Sequence, residues 1–288
     1  PVLCVLMLTL ATYSSHKPIA PPVPDEPTQP KPPLRLIDQT FETAAMGTGL
    51  SAAIMRRVAR GDLPSTARVH GTGRSLAFGR MDRLAAGYPR ALEIAREHGY
   101  EPVERMAGGR AAVFHEGTVA FSKATREAAL RTGTAPRFAE MAEIVAGSLC
   151  RLGVDARIGE IDGEYCPGQW SVSWAGRAKL AGIGQRVISG GAHVGGVLVL
   201  RRADEIRRVL IPVYEALGLD WDPETAGAIE DAVGAAPAPA EGPDPLLVEV
   251  KAAMRAELAS RYELIDAEID EATLRLAEEL RDYHTPKP

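Results

Sequence analysis

Short apolar runs come in clusters along this chain, two or three at a time between helical stretches, and that order restricts the fold more than any other feature. Thr66 to Val69 and Ser75 to Phe78 read as strands on either side of a glycine-rich turn. Pro102 to Met106, Ala111 to Phe114 and Val119 to Ser122 follow in quick succession. Trp170 to Trp174, Lys179 to Val187 and His193 to Leu200 form a third group. Strands this close pair with one another through short turns, whereas one strand per helix would give a doubly wound parallel sheet. The expectation is an α+β fold with mixed or antiparallel central sheets flanked by helices. Helical readings fall at Ala52 to Arg60, stopped by Gly61, at Asp82 (as N-cap) to His98, and at Ile206 to Leu217. Phe138, Met141, Val145, Leu149 and Leu152 mark another helical face, and Cys150 beside it reads as a core thiol.

The ends differ from this body. Pro1 to Thr12 is apolar but far shorter than the roughly 20 residues a membrane span needs. Pro18 to Pro33 is proline-rich, so residues 1–33 read as a disordered leader. Residues 34–233 hold the body, 234–245 (GAAPAPAEGPDP) an Ala/Pro linker, and 246–288 a helical extension that packs back on it. A formal net charge of −5 argues against nucleic-acid binding, and no segment suggests a membrane partner. Charge is uneven: Thr66 to Arg137 carries twelve Lys/Arg against seven Asp/Glu, as an anion site or a solvated arginine face would. Three scattered cysteines, Cys4, Cys150 and Cys166, fit neither a disulfide framework nor a metal site and point to a reducing, cytoplasmic setting.

Familiar phosphate and hydrolase motifs are missing. Gly71-Thr72-Gly73-Arg74-Ser75 lacks the spacing of a P-loop and does not open a helix after a strand, and neither HExxH nor GxSxG occurs. Two other stretches carry the candidates. In Arg105-Met106-Ala107-Gly108-Gly109-Arg110-Ala111-Ala112-Val113-Phe114-His115, paired glycines let backbone N–H groups turn toward an anion, and two arginines bracket them. A tight hairpin with surface arginines gives the same pattern. In Gly176-Arg177-Ala178-Lys179-Leu180-Ala181-Gly182-Ile183-Gly184-Gln185, a lysine stands in a strand of small and apolar residues, where burial without an anion is costly. The alternative is an edge-strand lysine with its head in water.

Taken together and in this order, Phe78-Gly79-Arg80, the Arg-x-x-Gly-Gly loop running to His115 and the Gly-Arg-x-Lys-x-x-Gly-x-x-Gln strand resemble the catalytic domain of the lipoate–protein ligases, octanoyltransferases and biotin ligases. The resemblance spans roughly residues 36–220 and is nearest to the lipoyl/octanoyl branch, whose loop reads RRxSGGGxVxHxxG. This chain departs from that loop. Arg110 replaces the third glycine, one residue is added before His115 and one removed after it, and Thr118 stands where asparagine is usual. Ala178 is inserted in the Gly-Arg-Lys run.

The resemblance implies an ATP-dependent ligase that forms an acyl-adenylate from lipoate or octanoate, with Mg²⁺ accompanying the ATP, and passes the acyl group to an acceptor lysine. Lys179 would be the catalytic cation. Arg105, Gly108, Gly109, Arg110, Ala111, Ala112, Val113, His115, Gly182 and Gln185 would bind substrate or ATP, with Val113, Phe114 and Leu180 along an acyl tunnel. Acceptors would be lipoyl-domain proteins, either 2-oxoacid dehydrogenase E2 components or the glycine-cleavage H type. A second reading rests on Cys166, thirteen residues before Lys179 in Gly163-Glu164-Tyr165-Cys166-Pro167-Gly168. Some octanoyltransferases of the superfamily use a cysteine there to take the acyl group from an acyl carrier protein as a thioester, without a cofactor. An inert loop thiol is the plainer alternative. A third reading, supported by the altered loop, is a non-catalytic relative that binds acyl groups or nucleotide.

Overall fold

The strand groups assemble into two sheets in the computed structural model, which describes residues 30–41, 43–127 and 133–287. The strands are β1 (Pro33–Ile37), β2 (Thr66–Gly71), β3 (Ser75–Phe78), β4 (Glu101–Glu104), β5 (Ala112–Phe114), β6 (Thr118–Arg126), β7 (Ala156–Ile158), β8 (Val172–Trp174), β9 (Ala178–Ile188), β10 (Gly191–Val199) and β11 (Glu263–Asp266). The helices are α1 (Ala44–Arg60), α2 (Tyr88–Glu97), α3 (Thr134–Arg151), α4 (Ala203–Leu217), α5 (Ile229–Val233), α6 (Pro245–Arg261) and α7 (Glu271–Arg281). The larger sheet has the order β11-β1-β2-β6-β10-β9-β8-β7 and the smaller one β4-β3-β5. Parallel pairing joins β1 to β11 and β2, and β3 to β4, while the pairs β2–β6, β6–β10, β10–β9 and β9–β8 are antiparallel. The α+β architecture with mixed sheets is the one expected from the clustered strands.

Alternation along the strands divides the interior. Leu34, Ala67, Val119 and Val194 face a core with Met141 and Leu149 of α3 and Val250 and Met254 of α6. Burial of each of these larger aliphatic side chains contributes about 1.5–3 kcal/mol. On the smaller sheet, Leu76, Phe78 and Val113 pack on Leu92 of α2 and on Val209 and Tyr214 of α4. A third core joins Leu50 and Ile54 of α1 to Ala277 and Leu280 of α7. Across β2, β6, β10 and β9 lies a row of paired positions, Arg68, Ser122, Gly195 and Gly184, whose small members leave room for a cavity.

Several local expectations change. Asp82 does not cap a long helix: residues Asp82–Leu84 form a single 3₁₀ turn, and α2 starts later, after Gly87, where Pro89 fits the first helical turn. The Asp82 carboxylate instead accepts the Gly79 N–H at 2.8 Å. Cys150 is exposed rather than a core thiol, because it lies off the buried stripe at the end of α3. The C-terminal extension is not purely helical. Its Glu-Leu-Ile-Asp segment is β11, whose pairing with β1 runs from Pro33 opposite Glu263 to Leu36 opposite Asp266. Four residues are too few for a period to show. The assigned leader ends in this pairing at Pro33, and residues 1–29 lie outside the described residues. Gly61 does end α1, at φ 85°, and the N–H groups of Gly61 and Asp62 return to Val58 and Arg57.

Candidate active site

A cavity of about 630 Å³ opens between the two sheets, and the glycine loop, the Cys166 turn and β9 meet along its wall. Lys179 enters from β9 and is buried, with 1% of its side chain exposed. Its three N–H donors each have a partner: the carbonyls of Tyr165 at 2.9 Å and Cys166 at 2.8 Å, and Glu164 Oε1 at 3.2 Å. The ammonium also lies 5.0 Å from the Tyr165 ring centroid. Burial pushes Lys179 below the ordinary lysine range, and the neighbouring Cys166 and Glu164 oppose that shift. Lys179 is thus no edge-strand lysine in water; it is tied into the turn that carries Cys166.

That turn is held from several sides. Glu164, fully buried, accepts the Gly168 N–H at 2.9 Å and the Ser171 hydroxyl at 2.6 Å through the same Oε1. Cys166 sits in the left-handed region at φ 45°, where a non-glycine residue persists only when its surroundings enforce it. Its N–H donates to the Tyr214 hydroxyl at 3.0 Å, and that hydroxyl donates to the Ala111 carbonyl at 3.0 Å. Tyr214 of α4 therefore clamps the cysteine turn to the end of the glycine loop.

The glycine loop presents its backbone to the sulfur. The Arg110 N–H donates to Cys166 Sγ at 3.1 Å, and Arg105 Nη1 lies 3.8 Å away. Arg105 also closes its own loop by donating to the Arg110 carbonyl at 2.8 Å. Gly109 has φ 112°, and a Cβ there would lie 2.9 Å from the sulfur. Gly79 is required for another reason: a Cβ on it would stand 1.7 Å from the Gly109 carbonyl oxygen, so this residue of the Phe-Gly-Arg element seats the loop. An N–H and a guanidinium aimed at one point form a site for negative charge, whether on sulfur or on an oxyanion beside it.

The predicted residues divide accordingly. Arg105, Gly108, Gly109, Ala112, Cys166, Lys179, Gly182 and Gln185 line the cavity. Gln185 is fixed there by Arg137 Nε, which donates to it at 2.5 Å, and its own amide donates to the Thr134 carbonyl at 3.2 Å. Arg110 contributes its backbone, while its side chain turns to Asp82 at 3.4 Å. Arg110, Ala111, Val113 and His115 do not line the cavity. Ala111 and Val113 belong to the α2/α4 core. Buried His115 accepts the Gly117 N–H at 3.0 Å through Nδ1. Burial and Arg202 press its pKa down to about 4. Of the expected tunnel residues, Phe114 lines the cavity, whereas Leu180 points into the α3/α6 core.

Glu164 and Tyr214 were not singled out from the sequence. Glu164 stands two residues before Cys166, and that proximity was the available signal. Tyr214 lies on an ordinary apolar helix face and offers none. Among the described residues no group of three or more His, Cys, Asp or Glu side chains could hold a metal ion. Among them, too, no helix is long and apolar enough to cross a membrane.

The chain is similar to known proteins in sequence and in fold. The chain is 29% identical over 210 residues to an "Octanoyl-[GcvH]:protein N-octanoyltransferase" of Bacillus velezensis, covering 70% of this chain and 71% of that one. It is 28% identical over 185 residues to a "Lipoyl-[GcvH]:protein N-lipoyltransferase" of Listeria monocytogenes, covering 62% and 65%. In fold it superposes on a lipoate-protein ligase A bound with ATP with a TM-score of 0.67 at 21% identity, covering 86% of this chain and 94% of the other. A putative lipoate protein ligase from T. acidophilum with bound lipoic acid superposes with a TM-score of 0.66 at 21% identity, covering 88% and 95%. Residues 44–215, which contain the glycine loop, Cys166 and Lys179, match the model of the lipoyl protein ligase A/B catalytic domain, and the chain belongs to that family.

Proposed function

We propose that this protein moves an octanoyl or lipoyl group from the lysine of an H-type carrier protein to a lysine of another acceptor domain, through a thioester on Cys166. The observation that carries the reading is the placement of the Cys166 sulfur on the cavity wall, 3.1 Å from the Arg110 N–H and beside the Arg105 guanidinium. The names of the relatives, which pair the H protein with a second protein, support the choice of donor. The reading departs from the ATP-dependent ligase expected from sequence and replaces acyl carrier protein as the donor in the cysteine-based alternative.

The chemistry balances without an energy source. The Cys166 sulfur attacks the carbonyl carbon of the acyl-lysine amide, the C–N bond breaks, and the thiol proton ends on the departing lysine amine. The amine of the incoming lysine then attacks the thioester carbonyl, the C–S bond breaks, and its proton returns to the thiol. One amide is exchanged for another. What the protein must supply is a held nucleophile and positive potential where the oxyanion forms. The Arg110 N–H, the Arg105 guanidinium and the Lys179 ammonium provide that potential. The apolar walls of the cavity take the acyl chain.

A ligase reading retains one supporting observation: the Gly108-Gly109 backbone and Arg105 line the cavity as a phosphate cradle would. One experiment separates the two. Purified protein is mixed with an unmodified lipoyl acceptor domain and either octanoylated H-type protein or free lipoate plus Mg²⁺-ATP, and the acceptor is weighed by mass spectrometry. The transfer reading expects added mass with the first donor and no nucleotide, together with an acyl adduct trapped on Cys166. Acceptor mass gained only with ATP, accompanied by pyrophosphate, would replace it with the ligase reading. No gain with either donor would favour a non-catalytic relative.

A further inference from the structure

Glu164 is a fully buried carboxylate that the acyl-transfer chemistry does not use. Its Oε1 receives three donors, the Lys179 ammonium at 3.2 Å, the Gly168 N–H at 2.9 Å and the Ser171 hydroxyl at 2.6 Å. Oε2 is buried with no hydrogen-bond partner among the described residues. A buried ion pair of this kind is weak for stability, since its desolvation offsets its attraction, and an apolar pair of the same volume often does as well. An orphaned oxygen makes the balance worse. Stability therefore gives no reason for a charge here, and its position does. The carboxylate spans the turn from residue 164 to 171, and Cys166 sits inside that span.

We infer that Glu164 is a positioning residue for the nucleophile: it holds Lys179 as the ammonium and fixes the turn so that the Cys166 sulfur faces the Arg110 N–H. The inference rests on Cys166 being the group that takes the acyl chain. Lys179 reaches the turn through the Tyr165 and Cys166 carbonyls, so loss of its charge would loosen the two bonds that keep Cys166 at positive φ. Among the described residues the groups facing this cluster are Arg105 from the glycine loop, Tyr165 within the turn and Tyr214 from α4, with the Arg110–Asp82 pair beyond Tyr214. Both phenols are pushed above their ordinary value by burial and stay neutral at working pH. Lys179 is thus the group of the cluster whose charge its neighbours decide. Burial alone drives Lys179 toward its neutral form, and Glu164 is one of the two neighbours that oppose it.

The test needs no acyl substrate. Full-length protein is treated with iodoacetamide, and alkylation of Cys166 is followed by peptide mass spectrometry relative to exposed Cys150 on the same chain. Glu164→Gln keeps the volume and an oxygen for Gly168 and Ser171 but removes the charge. The Cys166-to-Cys150 rate ratio is expected to fall about tenfold, with Cys150 unchanged. Lys179→Met should lower the ratio similarly, and the double variant no further. The double variant leaves no lone buried charge, so it remains usable where Glu164→Gln alone does not fold. An unchanged ratio in folded Glu164→Gln, or a double variant about tenfold below Lys179→Met, overturns the inference. If wild type fails to transfer acyl groups yet the ratio falls as expected, the transfer reading fails and Glu164 is left as a residue that sets the reactivity of the Cys166 thiol, not one that positions a nucleophile. The reverse pattern removes Glu164 and leaves the transfer reading.

Discussion

Substituting Gly109 tests whether the loop and the cysteine turn act as one site. At φ 112° an L-residue is strained by about 1–3 kcal/mol. The added methyl would also stand 2.9 Å from Cys166 Sγ and 3.0 Å from Arg105 Nη1, well inside ordinary contact. Relief requires sulfur and guanidinium to move outward by several tenths of an ångström or more. That lengthens the bond from the Arg110 N–H and displaces the attacking atom, and misplacement of about 1 Å costs roughly 10²-fold in rate. Gly109→Ala is therefore expected to fold, with stability lowered by about 1–3 kcal/mol, and to transfer at roughly one hundredth of the wild-type rate or less. Gly108 is the control: among the described residues a Cβ there meets no atom within 4 Å beyond its chain neighbours, and its φ is not in the left-handed region. Gly108→Ala should keep wild-type stability to within about 0.5 kcal/mol and change KM more than kcat, because its methyl projects toward substrate. Chemical denaturation and initial rates of octanoyl transfer from H-type protein measure both quantities. Full transfer activity in Gly109→Ala would refute the argument and leave the loop as an ordinary hairpin.

Other consequences follow from the same geometry. Cys166→Ser should lower transfer by ~10³-fold or more, as removal of a nucleophile does, and abolish the trapped thioester; retained transfer in the serine variant would exclude the thioester route. Lys179→Ala should lower transfer by ~10²-fold or more, and it should also destabilise the fold by about 3–5 kcal/mol because Glu164 is left as a lone buried charge; a urea titration separates the two effects. Burial presses the pKa of His193 down to about 4 from 6.5, so its contribution to stability is complete above pH 6.5 and is lost as pH falls toward 4. Unfolding free energies from urea titrations at about pH 7 and pH 5 should differ by ~2 kcal/mol from this residue, and His193→Gln should remove that part of the acid sensitivity. Leu280, buried at the α1/α7 contact, is expected to cost about 2–5 kcal/mol on truncation to alanine, with transfer at low temperature unaffected.

How far the sequence reached depended on the distance over which each signal acts. Strand clusters, the Gly61 stop and the α3 face are local patterns, and each appears where the residues placed it. Lys179 was legible because a lysine among small and apolar residues needs an anion wherever it is buried, although its anion, Glu164, came from another loop. The tail strand β11 was not legible, because four residues show no period and its partner β1 lies some 230 positions earlier. Val113 and Leu180 show the limit of reading a tunnel from apolar character, since each is equally suited to the adjoining core and packs there. The proposed mechanism turns on a contact that no spacing rule describes. Cys166 and Arg110 are 56 positions apart, and their 3.1 Å hydrogen bond forms because Tyr214 joins the two loops and Gly79 admits the Gly109 carbonyl. In sequence Cys166 was an optional loop thiol, and the glycine loop suggested a phosphate site. In space the loop's N–H already has the sulfur as its acceptor, so the same backbone donor that suits an adenylate suits a thioester-forming cysteine and the oxyanion beside it. The altered third glycine is consistent with that use: the Arg110 side chain is drawn off to Asp82, and its N–H is directed to the Cys166 sulfur.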